Sequence, residues 1–354
     1  MMLTMAPFYR WLTDSAQALS ASARALSLFA LLVSVGDVGL AQNQPSAAAH
    51  DQGRPADVAQ WLARMQQASS RNQGYVGTFV VSSGNSMTSA RIWHVCEGDQ
   101  QVERIENLTG PPRSTFRHNS LVMSFWPESR TVRKDWRDSL AAFPALPNAS
   151  SSTLAEFYAA RVIGADRVAG FDADVLLLSP TDQLRYGYRV WSEKKSGLMI
   201  KLQTLDVDGK VLEQSAFSEL QLNPSLRVDK LLQMMNNTSG YRVEKADTVK
   251  TTALAEGWIL KSPVAGFQSL NCYRRSGGPK HDTPTVHWVF SDGLASVSLF
   301  IEPYDVQKHP QESIMAMGAT QTLTRRINDW WLTAVGEVPP QTLKSFALNL
   351  ERKK

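Results

Sequence analysis

Between residues 75 and 136 apolar and polar positions alternate in short runs separated by turn residues. Tyr75, Gly77, Phe79 and Val81 fall on one face of a predicted strand, and Gly84-Asn85 marks the turn after it. Residues 91–96, 101–108, 115–117, 121–126 and 131–136 continue the pattern. Pro111-Pro112 lies between two of these runs, because a central strand tolerates no proline. Strands resume over 171–220. Tyr186, Tyr188 and Val190 alternate with Gly187, Arg189 and Trp191, and Leu198, Ile200 and Leu202 with Met199, Lys201 and Gln203. Asp208-Gly209 supplies the positive φ of a tight hairpin, and Ser196-Gly197 closes the turn before it.

Helical spacing is rarer. Val58, Trp61, Leu62 and Met65 predict a short helix capped by Asp57, and Leu154, Phe157 and Tyr158 a second over 154–162. Residues 223–256, with Pro224, Asn236-Asn237 and Ser239-Gly240, read as a linker or ragged insert. Beyond residue 257, strand 286–290 turns through Ser291-Asp292-Gly293 into strand 294–301, and 329–335 forms another. Pro339-Pro340 then opens a terminal helix carrying Leu343, Phe346, Ala347 and Leu350. The pattern predicts an α+β chain, mostly antiparallel β. A large N-terminal curved sheet or half-barrel over 54–222 is followed by the linker and a smaller C-terminal α+β domain over 257–351.

At 354 residues the chain is long enough for two cores. A formal charge of +4 without any Lys/Arg-rich run argues against nucleic acid as a partner. Arg10 and Arg24 precede an apolar stretch, 25–40, that ends in Gly39-Leu40-Ala41 and a polar tail. That is the layout of a secretory signal over 1–41 cleaved near Ala41, with 42–56 disordered. The stretch is shorter than the roughly 20 apolar residues a membrane span needs. Cys96 and Cys272 fall in different predicted domains; they can be separate buried thiols or one bridge.

Enzymatic and metal signatures are weak. None of the six histidines sits in a H-E-x-x-H pattern. His281, Asp282 and His287 straddle a loop and a strand, a poor ligand set, so no cofactor or metal is expected. Asp206-Val207-Asp208-Gly209 resembles the start of a calcium loop but is accounted for by a hairpin turn. Ser192-Glu193-Lys194-Lys195 matches S-x-x-K on a polar turn, where a nucleophile lacks a helix start and an oxyanion pocket.

Aromatic residues are abundant in the first domain. Tyr75, Phe79, Trp93, Phe125, Trp126, Trp136 and Tyr158 either form its core or line an apolar cavity that a lipid would fill. In the second domain, Ala295, Val297, Leu299 and Ile301 alternate with Ser296, Ser298 and Phe300. The face with two serines is poor core material, and so is a candidate partner surface rimmed by Glu302 and Arg325 or Arg326; the alternative is that the serines simply face water.

Tyr186-Gly-Tyr-Arg-Val-Trp191, Ser196-Gly-Leu198 and Leu205-Asp-Val-Asp-Gly-Lys-Val-Leu-Glu-Gln214 closely resemble the MucB/RseB family of periplasmic regulators of the envelope-stress sigma factor (sigma-E/AlgU type). Tyr75-Val-Gly-Thr-Phe-Val80, Leu108-Thr-Gly-Pro-Pro-Arg113 and Asp166-Arg-Val-Ala-Gly170 extend the resemblance. Ser291-Asp-Gly-Leu-Ala-Ser-Val-Ser-Leu-Phe-Ile-Glu-Pro303 and Val335-Gly-Glu-Val-Pro-Pro340 carry it to the second domain. The resemblance implies a lipoprotein-carrier-like first domain with helices on its concave side. It also implies a periplasmic, non-enzymatic regulator that binds the periplasmic segment of a membrane anti-sigma factor (RseA/MucA type) and shields it from site-1 proteolysis. Lipopolysaccharide or a lipoprotein acyl chain would trigger release. The alternative is a lipid or lipoprotein carrier with no regulatory partner. Whether the chain self-associates is left open.

Overall fold

The computed structural model describes residues 54–55, 58–70, 74–136, 143, 155–245, 248–275, 284–309 and 311–353. The signal segment and its cleavage point, residues 42–53 of the polar stretch, Asp57, Leu154, most of loop 143–152, and His281 with Asp282 lie outside them.

Strand β1 (Arg54–Pro55) and helix α1 (Val58–Ser70) lead into β2 (Tyr75–Ser83), β3 (Ser86–Glu97), β4 (Gln100–Asn107), β5 (Ser114–His118), β6 (Leu121–Trp126) and β7 (Thr131–Trp136). Then come β8 (Tyr158–Val168), β9 (Phe171–Pro180), β10 (Gly187–Glu193), β11 (Met199–Leu205), β12 (Val211–Leu222), helix α2 (Val228–Asn236) and β13 (Arg242–Lys245). These strands make one 13-stranded sheet in the order β1-β8-β9-β10-β11-β12-β2-β3-β4-β5-β6-β7-β13. It is antiparallel except where β13 runs parallel to β7. β2 is buried at every second residue, so a period of two in sequence becomes one inward face.

Two expectations fail here. The helix over 154–162 is replaced by β8; only 155–157 are helical. Tyr158 and Ala160 point inward while Ala159 and Arg161 face solvent, and the run pairs with β9 from Tyr158↔Pro180 onward. An Ala-Ala-Arg run serves either structure, and pairing with a strand already present decides it. The stretch expected as a linker instead contains α2, which buries Val228, Leu231 and Met235 at i, i+3 and i+7. These residues cover two apolar clusters, Val95 with Val102, and Phe116, Met123, Phe125 and Val132.

On the other face of the large sheet, Phe79, Phe143 and Phe217 form a ring cluster with centroids 5.2–6.3 Å apart. Met65 and Ala68 of α1 are buried too. Gly197, at φ +80, lies 3.0 Å (from an added Cβ) from Arg64. The Arg64 guanidinium donates to the Lys194 carbonyl. A side chain at Gly197 would push that contact apart.

The remaining strands are β14 (Thr248–Thr251), β15 (Trp258–Leu260), β16 (Gln268–Arg275), β17 (Thr285–Ser291), β18 (Ser296–Pro303), β19 (Ser313–Met317), β20 (Thr320–Ile327) and β21 (Trp330–Gly336). Helix α3 (Pro340–Asn349) and β22 (Leu350–Arg352) end the chain's described part. Seven of them form a second sheet, β14-β16-β17-β18-β21-β20-β19, and β15 pairs with β22. Pro340 starts α3 where its missing N–H costs nothing. The helix lays Leu343, Phe346 and Ala347 on Phe290, Val297, Leu299 and Leu332. Each large side chain buried this way contributes about 1.5–3 kcal/mol. The β19–β20 hairpin was not anticipated from the sequence; its only turn signal is Gly318, at φ +58.

Candidate functional site

The seven aromatic candidates do not converge. Tyr75 and Phe79 are buried on the face of the large sheet that carries Phe217. Tyr75 pairs with His94, so the neighbouring Trp93 projects to the opposite face. There Arg91 and Arg104 stack on its ring at 5.3 and 4.7 Å. Phe125 shares that face and is covered, 5.5 Å from Phe116 and 5.4 Å from Tyr241. Trp126 follows it on the other side and is half-buried, and Trp136 is 59% exposed. Tyr158 is buried, with its hydroxyl 2.9 Å from Asp292 Oδ2. Of these residues, Tyr75 and Phe79 belong to the Phe143–Phe217 cluster and the rest serve elsewhere.

The strand expected as a docking face is covered. Ser298 is 6% exposed and Phe300 4%. The His287 ring stacks on Phe300 at 4.3 Å, and Nε2 lies 3.0 Å from Ser298 Oγ. The serine hydroxyl thus has the partner that burial demands, which the alternation alone does not reveal. Ser296 is half-buried. Glu302 meets His309 at 3.2 Å. Arg325 reaches the Ala347 carbonyl of α3 at 3.5 Å rather than forming a rim. These contacts occupy His287 as a structural residue. Ser192 is likewise buried and donates to the Gly197 carbonyl at 3.1 Å. Asp206 Oδ1 accepts the amides of Asp208 and Lys210 and so shapes the hairpin.

One charged cluster lies inside the large sheet. His94 Nε2 is 3.3 Å from Cys96 Sγ, and its Nδ1 is 3.4 Å from Glu103, which Arg117 approaches at 3.6 Å. Burial opposes the charged imidazole, but the bonds to Cys96 and Glu103 and the Glu103 charge outweigh it and hold the ring's pKa at about 9. Burial also opposes the Glu103 carboxylate, and His94 and Arg117 prevail and lower its pKa. Cys96 and Cys272 are free thiols; burial pushes the Cys272 thiol up to about 11.

Sequence reasoning missed the residues that fasten the two sheets. Arg185, fully buried in the loop before β10, donates from Nε to Asp292 Oδ2 at 2.7 Å and from Nη2 to the Ala265 carbonyl at 2.6 Å. Its Nη1 donates to Asp182. The guanidinium lies 4.1 Å from the Phe157 ring centre and 5.0 Å from that of Phe267. An added Cβ at Gly266 would stand 1.9 Å from Arg185, so only glycine fits there. Asp292 Oδ1 accepts the amides of Leu294 and Ala295, and Tyr158 adds its hydroxyl to Oδ2. Burial foremost, then the nearby Tyr188 and Asp292, raises the Tyr158 pKa, which keeps the phenol a donor. Thr342 of α3 donates to the Leu184 carbonyl at 2.7 Å. The sequence carried one signal: Asp292 sits in a Ser-Asp-Gly turn, and it reads there as turn grammar.

The fold and its buried contacts define a mostly antiparallel β protein in which the buried Arg185–Asp292 ion pair fastens its two large sheets together. Residues 57–235 match the MucB/RseB N-terminal domain and residues 252–351 the MucB/RseB C-terminal domain. The chain belongs to the MucB/RseB family. It is 30% identical over 302 residues to the sigma factor AlgU regulatory protein MucB of Pseudomonas aeruginosa, covering 83% of this chain and 91% of that protein. It is 25% identical over 300 residues to the sigma-E factor regulatory protein RseB of Escherichia coli, covering 82% and 89%. A P. aeruginosa MucA/MucB complex structure matches 84% of this chain and all of its own at 27% identity, with a TM-score of 0.65. A structure of MucB with MucA(peri) matches 84% and 99% at 27%, with a TM-score of 0.63.

Proposed function

We propose that the chain is an exported regulator that binds the periplasmic segment of a membrane anti-sigma factor, shields it from the site-1 protease and so restrains an envelope-stress sigma factor. The observation that carries this reading is the match across both family domains, in order, to a regulatory protein whose structure is known bound to MucA. Release by a lipid-type ligand, taken up on the aromatic face of a carrier-like sheet around Phe79, Phe143 and Phe217, completes the proposal. A ligand drives release only if it binds the released state better than the bound one. A simple carrier leaves the second sheet, and its fully satisfied junction at Arg185, without a use.

The test is protection. The anti-sigma factor's periplasmic segment is incubated with site-1 protease, with and without the mature protein, and then with lipid A micelles. Slower cleavage that lipid A restores is the expected outcome. Unchanged cleavage removes the regulator reading, and protection insensitive to lipid removes the lipid signal alone.

A further inference from the structure

Away from Arg185 the sheets touch a second time, at the tip of the β19–β20 hairpin. An added Cβ at Gly318 would stand 1.8 Å from Ser83 Oγ and 3.2 Å from Glu213 Oε2, so the turn lies directly on the large sheet. Glu213 of β12 pairs across from Ser83 of β2, on the same inward face as Phe217. It is 5% exposed. Glu337 follows β21 and adds a second carboxyl, on which the Glu213 charge acts. Tyr186, just before β10, accepts a hydrogen bond from Gln321 of β20 at 3.3 Å.

The elements packed here bring no compensating charge. From β2 comes Ser83, from β3 Thr88, from the hairpin Gly318, Ala319 and Thr320, and from β21 Gly336 before Glu337. Lys201 of β11 is engaged 4.3 Å over Trp191, and Arg325 of β20 reaches α3. Among the described residues no lysine, arginine or histidine acts on either carboxyl. Two carboxyl groups withdrawn from water with no cation between them cannot both be charged cheaply.

We propose that Glu213 and Glu337 form a protonation-gated contact that fastens the β19–β20 turn to the large sheet in mild acid and loosens it in alkali. Burial raises the Glu213 carboxyl to about 7, outweighing the nearby Ser83 hydroxyl and Ala319 amide, which act to lower it. Burial, and then the Glu213 charge, raises Glu337 to about 8. Glu337 is half-buried. For acids raised above their ordinary value of 4.5, stability is fully present below pH 4.5. It is lost as pH rises through 7 to 8, where the junction must hold two charges. The inference stands apart from the regulatory reading above.

The experiment uses the full mature protein and the variants Glu213→Gln, Glu337→Gln and both together, because glutamine copies the protonated carboxyl. The thermal midpoint is measured from pH 5 to pH 9. At fixed pH, amide exchange at Ala319 and Thr320 reports the junction itself. At pH 8.5 the double variant is expected to melt at least about 2 °C above the parent, with slower exchange at both amides, and to match it at pH 5. A double variant that melts below the parent at pH 8.5, or that exchanges both amides as fast as the parent does at that pH, overturns the proposal. So does a rise in the parent's midpoint with millimolar calcium at pH 8.5, which would put a cation where the proton is assigned.

Discussion

At Arg185 a buried cation meets a buried carboxylate, whereas at Glu213 a buried carboxyl meets only another carboxyl. Both contacts join the same two sheets. Asp292 accepts Arg185, Tyr158 and two backbone amides, so its oxygens are fully used. Glu213 has Ser83 and Ala319 near it and no counterion among the described residues. The first contact holds its geometry at any pH near neutrality, because its cation is an arginine. The second depends on protons. A junction built this way has one fixed attachment and one adjustable attachment, and small changes in condition act on the second alone.

The most forceful way to break the contrast is Arg185→Met. It leaves Asp292 buried without its cation and empties the space between Phe157 and Phe267, at a cost of about 3–5 kcal/mol. Denaturant titration would measure it. Asp292→Asn in the same chain should recover part of the loss, since the stranded charge goes with it. A double variant as unstable as the sum of the singles would show that the two side chains act independently.

His94→Gln tests whether the adjustable attachment is the only pH-sensitive element. Losing the imidazolium leaves Glu103 with Arg117 alone and costs about 2–3 kcal/mol at neutral pH. For a histidine raised from 6.5 to about 9, the stability is fully present below pH 6.5 and lost as pH rises through 9. His94 and the carboxyl pair therefore lose stability in the same direction over overlapping windows. In the Glu213→Gln, Glu337→Gln background the fall that remains between pH 7 and 9 should vanish when His94→Gln is added. A fall that persists would require a third titrating group.

Most strands were legible because half-buried strands carry a period of two, which β2 keeps along its whole length and β3 and β12 over most of theirs; β10 and β11 are buried on both faces and were legible from their apolar runs and bounding turns instead. β8 was not, because Tyr158-Ala-Ala-Arg161 fits a helix or a strand equally and β9 selects between them. α2 was hidden by Pro224 and Asn236-Asn237, although Val228, Leu231 and Met235 stood at helical spacing throughout. The junction was invisible for a different reason. Arg185 and Asp292 are 107 residues apart, and each sits among turn residues that need no partner. Glu213 left a trace, a carboxyl on the inward side of a strand two inward positions before Phe217, but period alone does not say what opposes it. The face of Ser298 and Phe300 shows the converse: its two serines suggested exposure, and His287 on the neighbouring strand removed the need for it.

A smaller change separates shape from charge at the adjustable attachment. Gly318→Ala adds a methyl where Ser83 stands, at a φ of +58 that alanine adopts with strain. The expected loss is about 1–2 kcal/mol, because Ser83 can rotate away while the backbone cannot. The variant should also flatten the midpoint's dependence on pH between 5 and 8, since a displaced turn readmits water to Glu213. A loss of stability with the pH dependence intact would mean that the turn packs on the large sheet without keeping Glu213 dry.

Tyr186→Phe is the mildest and most selective probe. It deletes one neutral hydrogen bond to Gln321 in the same contact and leaves both carboxyls in place. The cost is about 0.5–1 kcal/mol, the net worth of a neutral bond exchanged with water. Burial raises the Tyr186 phenol above its ordinary value of 10, so it carries no charge between pH 5 and 9. The melting curves of variant and parent should therefore run parallel across that range, displaced by a constant amount. Curves that converge at high pH would mean that the phenol's bond forms only while the carboxyls hold their proton, and the contact opens as a unit. Curves that stay parallel would assign the pH response to the Glu213–Glu337 pair alone, with the bond between Tyr186 and Gln321 persisting as the turn loosens.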